Sequence, residues 1–245
     1  MSRVSQRWWS PRVDREVNVV RWGEVGWPVL WFPTAAGDAE EVERMLMIEA
    51  LSPLLESGRL KLYSVDSVPG QVWLNESNRQ PNASGIQAGF DRFIVDELIP
   101  AIHADCGSAL DVVTAGASIG AFNALAAICR HPELISVAVC LSGTYDLSKL
   151  LDGDVDENWY LASPLHFVPN LAEDHPNLAD LRRRFVLLAH GTGRWESPEE
   201  SWQVADCLGA RGIPNRVDEW GSEWDHDWPT WRRMLPQYLE ELLPA

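Results

Sequence analysis

Apolar and polar positions alternate along the chain in two different periods. Residues 5–23, SQRWWSPRVDREVNVVRWG, mix β-branched and aromatic residues with polar ones and break at Ser10-Pro11, which predicts two strands. WPVLWFPT (27–34) is a continuous apolar run ending in Pro-Thr, as in a buried parallel strand. Residues 39–56 carry Val42, Met45, Leu46, Ile48 and Leu51 and predict one helix. KLYSVDS (61–67) predicts the next strand, and PGQVWLNESNRQPNAS (69–84) a polar loop. Phe90, Phe93, Ile94, Leu98 and Ile102 then share one face of a helix near 85–105. DVVTAGAS (111–118), SVAVCLSG (136–143), RFVLLAHG (184–191) and NRVDEWG (215–221) read as strands. Helices are expected over about 119–130, 198–211 and from about Pro229, with Pro236 kinking the last one. About 146–180 is the long irregular stretch.

Composition narrows the class. The chain has 245 residues, 46% apolar and 23% charged, the makeup of an ordinary globular domain. We expect a single domain over 1–245. A net charge of −16 repels nucleic acid and anionic lipid and promotes solubility. No run approaches the roughly 18 apolar residues of a membrane span. The start, MSRVSQRWWSPRVDR, lacks the apolar stretch of a signal peptide, so a cytoplasmic protein is expected. Cys106, Cys129, Cys140 and Cys207 show no C-x-x-C spacing and read as thiols, neither disulfides nor metal ligands.

Strands alternating with helices imply a mostly parallel central sheet with helices on both faces. Two antiparallel strands ahead of it complete the layout of an α/β-hydrolase. Gly116-Ala117-Ser118-Ile119-Gly120 is a G-x-S-x-G motif between a predicted strand and a predicted helix. A serine on that sharp turn needs tiny neighbours, and the helix start offers backbone N–H groups beside it. Outside this context the same letters are an inert Gly-Ser turn.

A serine hydroxyl needs a base. His226, in GSEWDHDWP, lies between the last strand and last helix, where this fold carries its base. His190, ending a strand, is the weaker candidate. His103, His131, His166 and His175 read as surface residues. The acid that orients the imidazole belongs on a loop after a strand. Glu196, in HGTGRWESP, and Asp146, in LSGTYD, both qualify by position. The turn Thr34-Ala35-Ala36-Gly37 can supply an oxyanion N–H from Ala35, with Ala36 its neighbour, and Ile119 the second. Trp195, Trp224 and Trp228 flank acid and base and would wall a pocket, unless they pack the core. Asp225, His226 and Asp227 are adjacent and rarely converge on one ion, so no metal is expected.

RHPEL (130–134), LSGTYD (141–146), NWYLASPL (158–165) and HDWPTWRRMLP (226–236) resemble the putative-esterase (esterase D-like) family of α/β-hydrolases. The likeness covers nearly the whole chain. It implies Ser118, His226 and an acid after the seventh strand. Many members carry Asp there in a G-x-x-D pattern, where this chain has Arg194; the mycolyltransferases use a Glu slightly further on, which matches Glu196. Many relatives also have His-Gly where this chain has Pro33-Thr34.

The expectation is therefore a serine esterase acting on a small-molecule ester or acyl substrate. It has no cofactor, no nucleic-acid partner and no membrane span, and homo-oligomerisation is left open. Segment 146–180 should shape the cleft. Acyl transfer by the same triad, or a non-catalytic binding module, are the competing readings.

Overall fold

The computed structural model describes residues 2–35, 37–73, 83–147 and 156–244. Its frame is an eight-stranded sheet in the order β1-β2-β4-β3-β5-β6-β7-β8. The strands are β1 (Arg3–Ser10), β2 (Arg15–Trp22), β3 (Trp27–Phe32), β4 (Leu60–Val65), β5 (Val112–Ala117), β6 (Ile135–Leu141), β7 (Phe185–His190) and β8 (Asn215–Glu219). β2 pairs antiparallel with both β1 and β4, and the remaining pairs are parallel. So β1 and β2 are antiparallel, as the sequence suggested, and β2 alone runs against the sheet. This order, crossing over at β3 and β4, is that of an α/β-hydrolase.

Two cores lie on the two faces. Alternate residues of the buried strands divide between them: Leu30 and Phe32 on one side, Val29 and Trp31 on the other. The first face is covered by α5 (Ala83–Phe93), α6 (Ile99–Cys106), α7 (Ile119–Arg130), α8 (Glu157–Ala162), α9 (Pro164–Phe167), α10 (Pro176–Leu181) and α11 (Pro198–Ala210). The second is covered by α1 (Glu41–Arg44), α2 (Met47–Ala50), α3 (Ser52–Glu56) and α12 (Trp228–Leu242). α4 (Val68–Trp73) follows β4. No helix among the described residues is long and apolar enough to cross a membrane.

Several elements depart from the periodicity. The single helix expected over 39–56 is three short ones. Met45-Leu46-Met47-Ile48 is apolar on every side of a helix, so the chain turns instead. Leu46 takes a left-handed φ of 62° and stays exposed, which lets Met47 and Ile48 enter the core. The loop expected from residue 69 begins as α4, and its residues 74–82 lie outside the described residues. Between α5 and α6 the helix widens into a π-helical stretch, Ile94–Leu98, directly before Pro100, which has no N–H to give. The stretch expected to be irregular holds α8, α9 and α10, while its residues 148–155 lie outside the described ones. α12 continues as helix through Pro236. All four cysteines are free thiols.

Candidate active site

Ser118 sits between β5 and α7 with φ 57° and ψ −124°, a conformation L-residues rarely adopt. Its neighbours explain how the turn closes. A Cβ on Gly116 would strike the backbone of Gly120, and one on Gly120 would strike the carbonyl of Phe32. Glycine is therefore required at both places, and β5, β3 and the first turn of α7 pack backbone to backbone. The Ser118 N–H donates to the Leu141 carbonyl on β6 (3.0 Å), and its own carbonyl accepts from Thr144 N–H (3.3 Å). Ile119 opens α7, so its N–H is one of the four that a helix leaves without an internal partner.

The turn after β3 holds Ala35, half-buried against the first core. Ala36 lies outside the described residues. Glu41 secures this turn from α1: Oε2 accepts from Thr34 N–H (2.8 Å) and Oε1 from the Thr34 hydroxyl (2.6 Å). Burial pushes the Glu41 carboxyl above its ordinary range, against the pull of the two Thr34 bonds. A Cβ on Gly37 would collide with the same carboxylate.

His226 and Glu196 come together from the loops after β8 and β7. His226 Nδ1 is 3.6 Å from Glu196 Oε2; the imidazole is 22% exposed and the carboxylate 1%. The other oxygen, Oε1, accepts from the Ser142 hydroxyl (2.6 Å) and from Gly191 N–H (3.2 Å). Ser142 in turn accepts from the Trp231 indole (3.0 Å), and the same indole lies edge-on to the His226 ring at 5.2 Å. Glu196 is thus a buried carboxylate whose far side is fixed by donors and whose near side faces an imidazole. Such a carboxylate sets the orientation of that imidazole.

The rival positions are occupied differently. The Asp146 N–H donates to Glu200 Oε2 at 3.0 Å, and Tyr145 N–H reaches the same oxygen, so Glu200 caps this turn. His190 is 1% exposed, with Nδ1 2.8 Å from the Gly191 carbonyl. Asp227 caps α12 by accepting from Trp228 N–H (2.7 Å), and Asp225 is held by Arg194. Of the three tryptophans expected at the pocket, Trp228 is 6% exposed and packs in the second core against Trp31 and Trp231. Trp224 is half-buried with its ring edge-on to Trp220 (5.0 Å). Trp195 is 76% exposed, at φ 63°, under the Arg194 guanidinium.

Sequence reasoning missed Ser142, Trp231 and Glu41. Ser142 and Trp231 stood inside segments that resembled the family, but nothing local marks a serine as the donor to an acid 54 positions away.

The serine elbow, the imidazole after the last strand and the buried carboxylate on an eight-stranded, mostly parallel sheet define an α/β-hydrolase. The family model described as "Putative esterase" matches residues 67–242, more than two thirds of the chain. The chain belongs to this family of carboxylic ester hydrolases. Solved structures with the same fold include a ferulic acid esterase (18% identity, TM-score 0.76, covering 99% of this chain and 98% of that one). An S-formylglutathione hydrolase from Agrobacterium tumefaciens is similar at 14% identity and TM-score 0.71, covering 98% and 93%. So is FphF, a fluorophosphonate-binding serine hydrolase of Staphylococcus aureus (14%, TM-score 0.70, covering 100% and 99%). A search of curated proteins finds no match.

Proposed function

We propose that the chain cleaves a small-molecule carboxylic ester through an acyl-enzyme on Ser118. His226 takes the proton from Ser118 Oγ as the oxygen attacks the ester carbonyl. The N–H groups of Ala35 and Ile119 receive the negative charge that develops on the carbonyl oxygen. His226 then gives its proton to the departing alcohol. In the second half it activates water, which attacks the acyl carbonyl and returns Ser118 to its free form. Glu196 keeps the imidazole oriented and stabilises it while it is charged.

The observation that carries this reading is the placement of Glu196. It is a carboxylate 1% exposed, held on one oxygen by Ser142 and Gly191 while the other faces His226 Nδ1. The 3.6 Å gap is longer than a hydrogen bond and should shorten when the imidazole becomes charged.

The test is covalent labelling. A fluorophosphonate should add one phosphonyl group, on Ser118, and Ser118→Ala should lose cleavage of a nitrophenyl ester by about 10⁶-fold. Undiminished turnover by Ser118→Ala would end the proposal. Product analysis with added alcohols separates hydrolysis from acyl transfer.

A further inference from the structure

A concave site lies well away from Ser118, between the β1–β2–β4 edge of the sheet and α6. Its volume is about 340 Å³, at the lower end of small-ligand pockets. Strand register explains its walls. Val4 pairs with Arg21 and Arg21 with Tyr63, so these three form one row across the sheet. Val19 sits one pleat along on the same face. From the helix side come Leu98, Ala101, Ile102, Ala104 and Asp105, and the two alanines leave the space open.

Tyr63 pairs with Leu30 and Leu30 with Thr114, four residues before Ser118. β2 is three strands from β5. At about 4.8 Å per strand and about 3.3 Å per residue, the site lies about 14 Å across and about 13 Å along from the serine.

One end of this cavity is charged. Lys61, 4% exposed, donates to the Asp105 carbonyl (2.9 Å) and lies 2.7 Å from Asp105 Oδ2; the Tyr63 hydroxyl donates to the same oxygen (2.7 Å). Burial opposes ionisation of Asp105, yet the Lys61 and Tyr63 bonds outweigh it and hold the carboxyl below its ordinary range. Arg21 is left over. Its side chain is 16% exposed, and its Nε is buried without a hydrogen-bond partner, 3.8 Å from Asp105 Oδ2. That distance is too long for a hydrogen bond, and a buried orphan donor is costly. Two cations against one anion leave this end positive, in a chain whose net charge is −16. Glu97, which does not line the cavity, is engaged by the Trp8 indole (3.1 Å) and the Ser10 hydroxyl (2.8 Å).

We propose that this cavity binds a small amphiphilic carboxylate, its head on the Arg21 guanidinium and its short acyl chain along the partly exposed Val4, Trp8 and Ala101. The carboxylate pairs with the guanidinium, 16% exposed, whose positive charge Asp105 does not neutralise alone. The alkyl chain covers the faces of Val4, Trp8 and Ala101 that are open to water.

The probe is octanoate, with octanol and octylamine as matched tails, measured by calorimetry on the full chain. Octanoate should bind one per chain, and the other two far more weakly. Arg21→Gln should weaken octanoate by about tenfold or more, the scale of a hydrogen bond to a charged group. Ala101→Phe should abolish binding by filling the space, and Ala104→Leu serves if that variant does not fold. Ester turnover should be unchanged in all three. No octanoate binding, equal binding by Arg21→Gln, or octanol binding as well as octanoate would each overturn the site. Since binding is read without turnover, an inactive Ser118 would leave this result standing.

Discussion

Asp225 grips Arg194 by both backbone and side chain. Its Oδ1 accepts from Arg194 N–H (2.7 Å), and its Oδ2 from the guanidinium Nε (2.8 Å) and Nη2 (2.6 Å). Two backbone bonds join the same strips of chain: Gly193 N–H to the Trp224 carbonyl and His226 N–H to the Arg194 carbonyl, both 3.0 Å. Arg194 is two residues before Glu196, and Asp225 is one before His226. The loop of the proposed acid is thereby fastened to the loop of the proposed base. At the position after the seventh strand where the family resemblance implied an aspartate, this chain has the arginine that makes the fastening.

Breaking this clamp should act on catalysis more than on folding. Arg194 is 74% exposed, and an exposed ion pair alone adds little to stability. Asp225→Ala frees the Arg194 N–H and lets the imidazole drift from Glu196. We expect kcat to fall about tenfold or more with KM and melting temperature nearly unchanged. The Arg194 bonds hold the Asp225 carboxyl below its ordinary range. A depressed carboxyl stabilises the fold above its unfolded value and loses that contribution as pH falls through the folded one. The clamp should therefore persist through the neutral range. Any stability gap between wild type and Asp225→Asn should close only below about pH 4.

Ser142→Ala removes the hydroxyl that joins the Trp231 indole to Glu196 Oε1. A hydrogen bond to a charged group is worth about 1.5–3 kcal/mol, so ester cleavage should drop by roughly ten- to a hundredfold. The loss should appear in kcat, because Ser142 is buried and bonded to the acid. A Ser142→Ala enzyme with full kcat would remove Ser142 from the support of the site.

The two candidate acids make opposite statements in mutants. Glu196→Gln should lose on the order of 10⁴ in kcat, as when a triad carboxylate is replaced. Asp146→Asn should lose little, since its turn is capped by Glu200. The reverse pattern would shift the acid to the loop after β6. Activity of the wild type should also fall in acid, because a protonated His226 cannot accept the Ser118 proton.

What the sequence disclosed follows from how local each signal is. The elbow was legible because its requirement, small residues tightly flanking Ser118, is met within five positions, Gly116 to Gly120. All eight strands were visible as apolar runs or alternations with turn residues between them. The choice between Glu196 and Asp146 was open because it depends on which turn faces the β8 loop, and chain order carries no such information. The breaks near Leu46 and Pro100 were hidden for a related reason. An apolar run reports burial, but which residue turns the backbone is decided by the core it must fit.

Glu41 offers the sharpest separation of charge from geometry. It holds the turn carrying Ala35 through Thr34, and burial raises its carboxyl above the ordinary glutamate value. A raised carboxyl is a charge the fold disfavours. Its cost is present above the folded value and is relieved as pH falls through it. Glu41→Gln keeps both contacts: the amide oxygen can accept Thr34 N–H, and the amide NH₂ can donate to the Thr34 hydroxyl. This variant should retain activity and melt no lower than wild type at pH 7, with the difference shrinking as pH is lowered towards 4. Glu41→Ala deletes both contacts, leaves Thr34 N–H without its acceptor and loosens the turn that would receive the oxyanion. Its kcat, and its rate of fluorophosphonate labelling at Ser118, should fall about tenfold or more. The paired result distinguishes the two roles. If Glu41→Gln lost as much activity as Glu41→Ala, the charge would matter and the positioning argument would fail; if neither lost any, the turn would not depend on Glu41 at all.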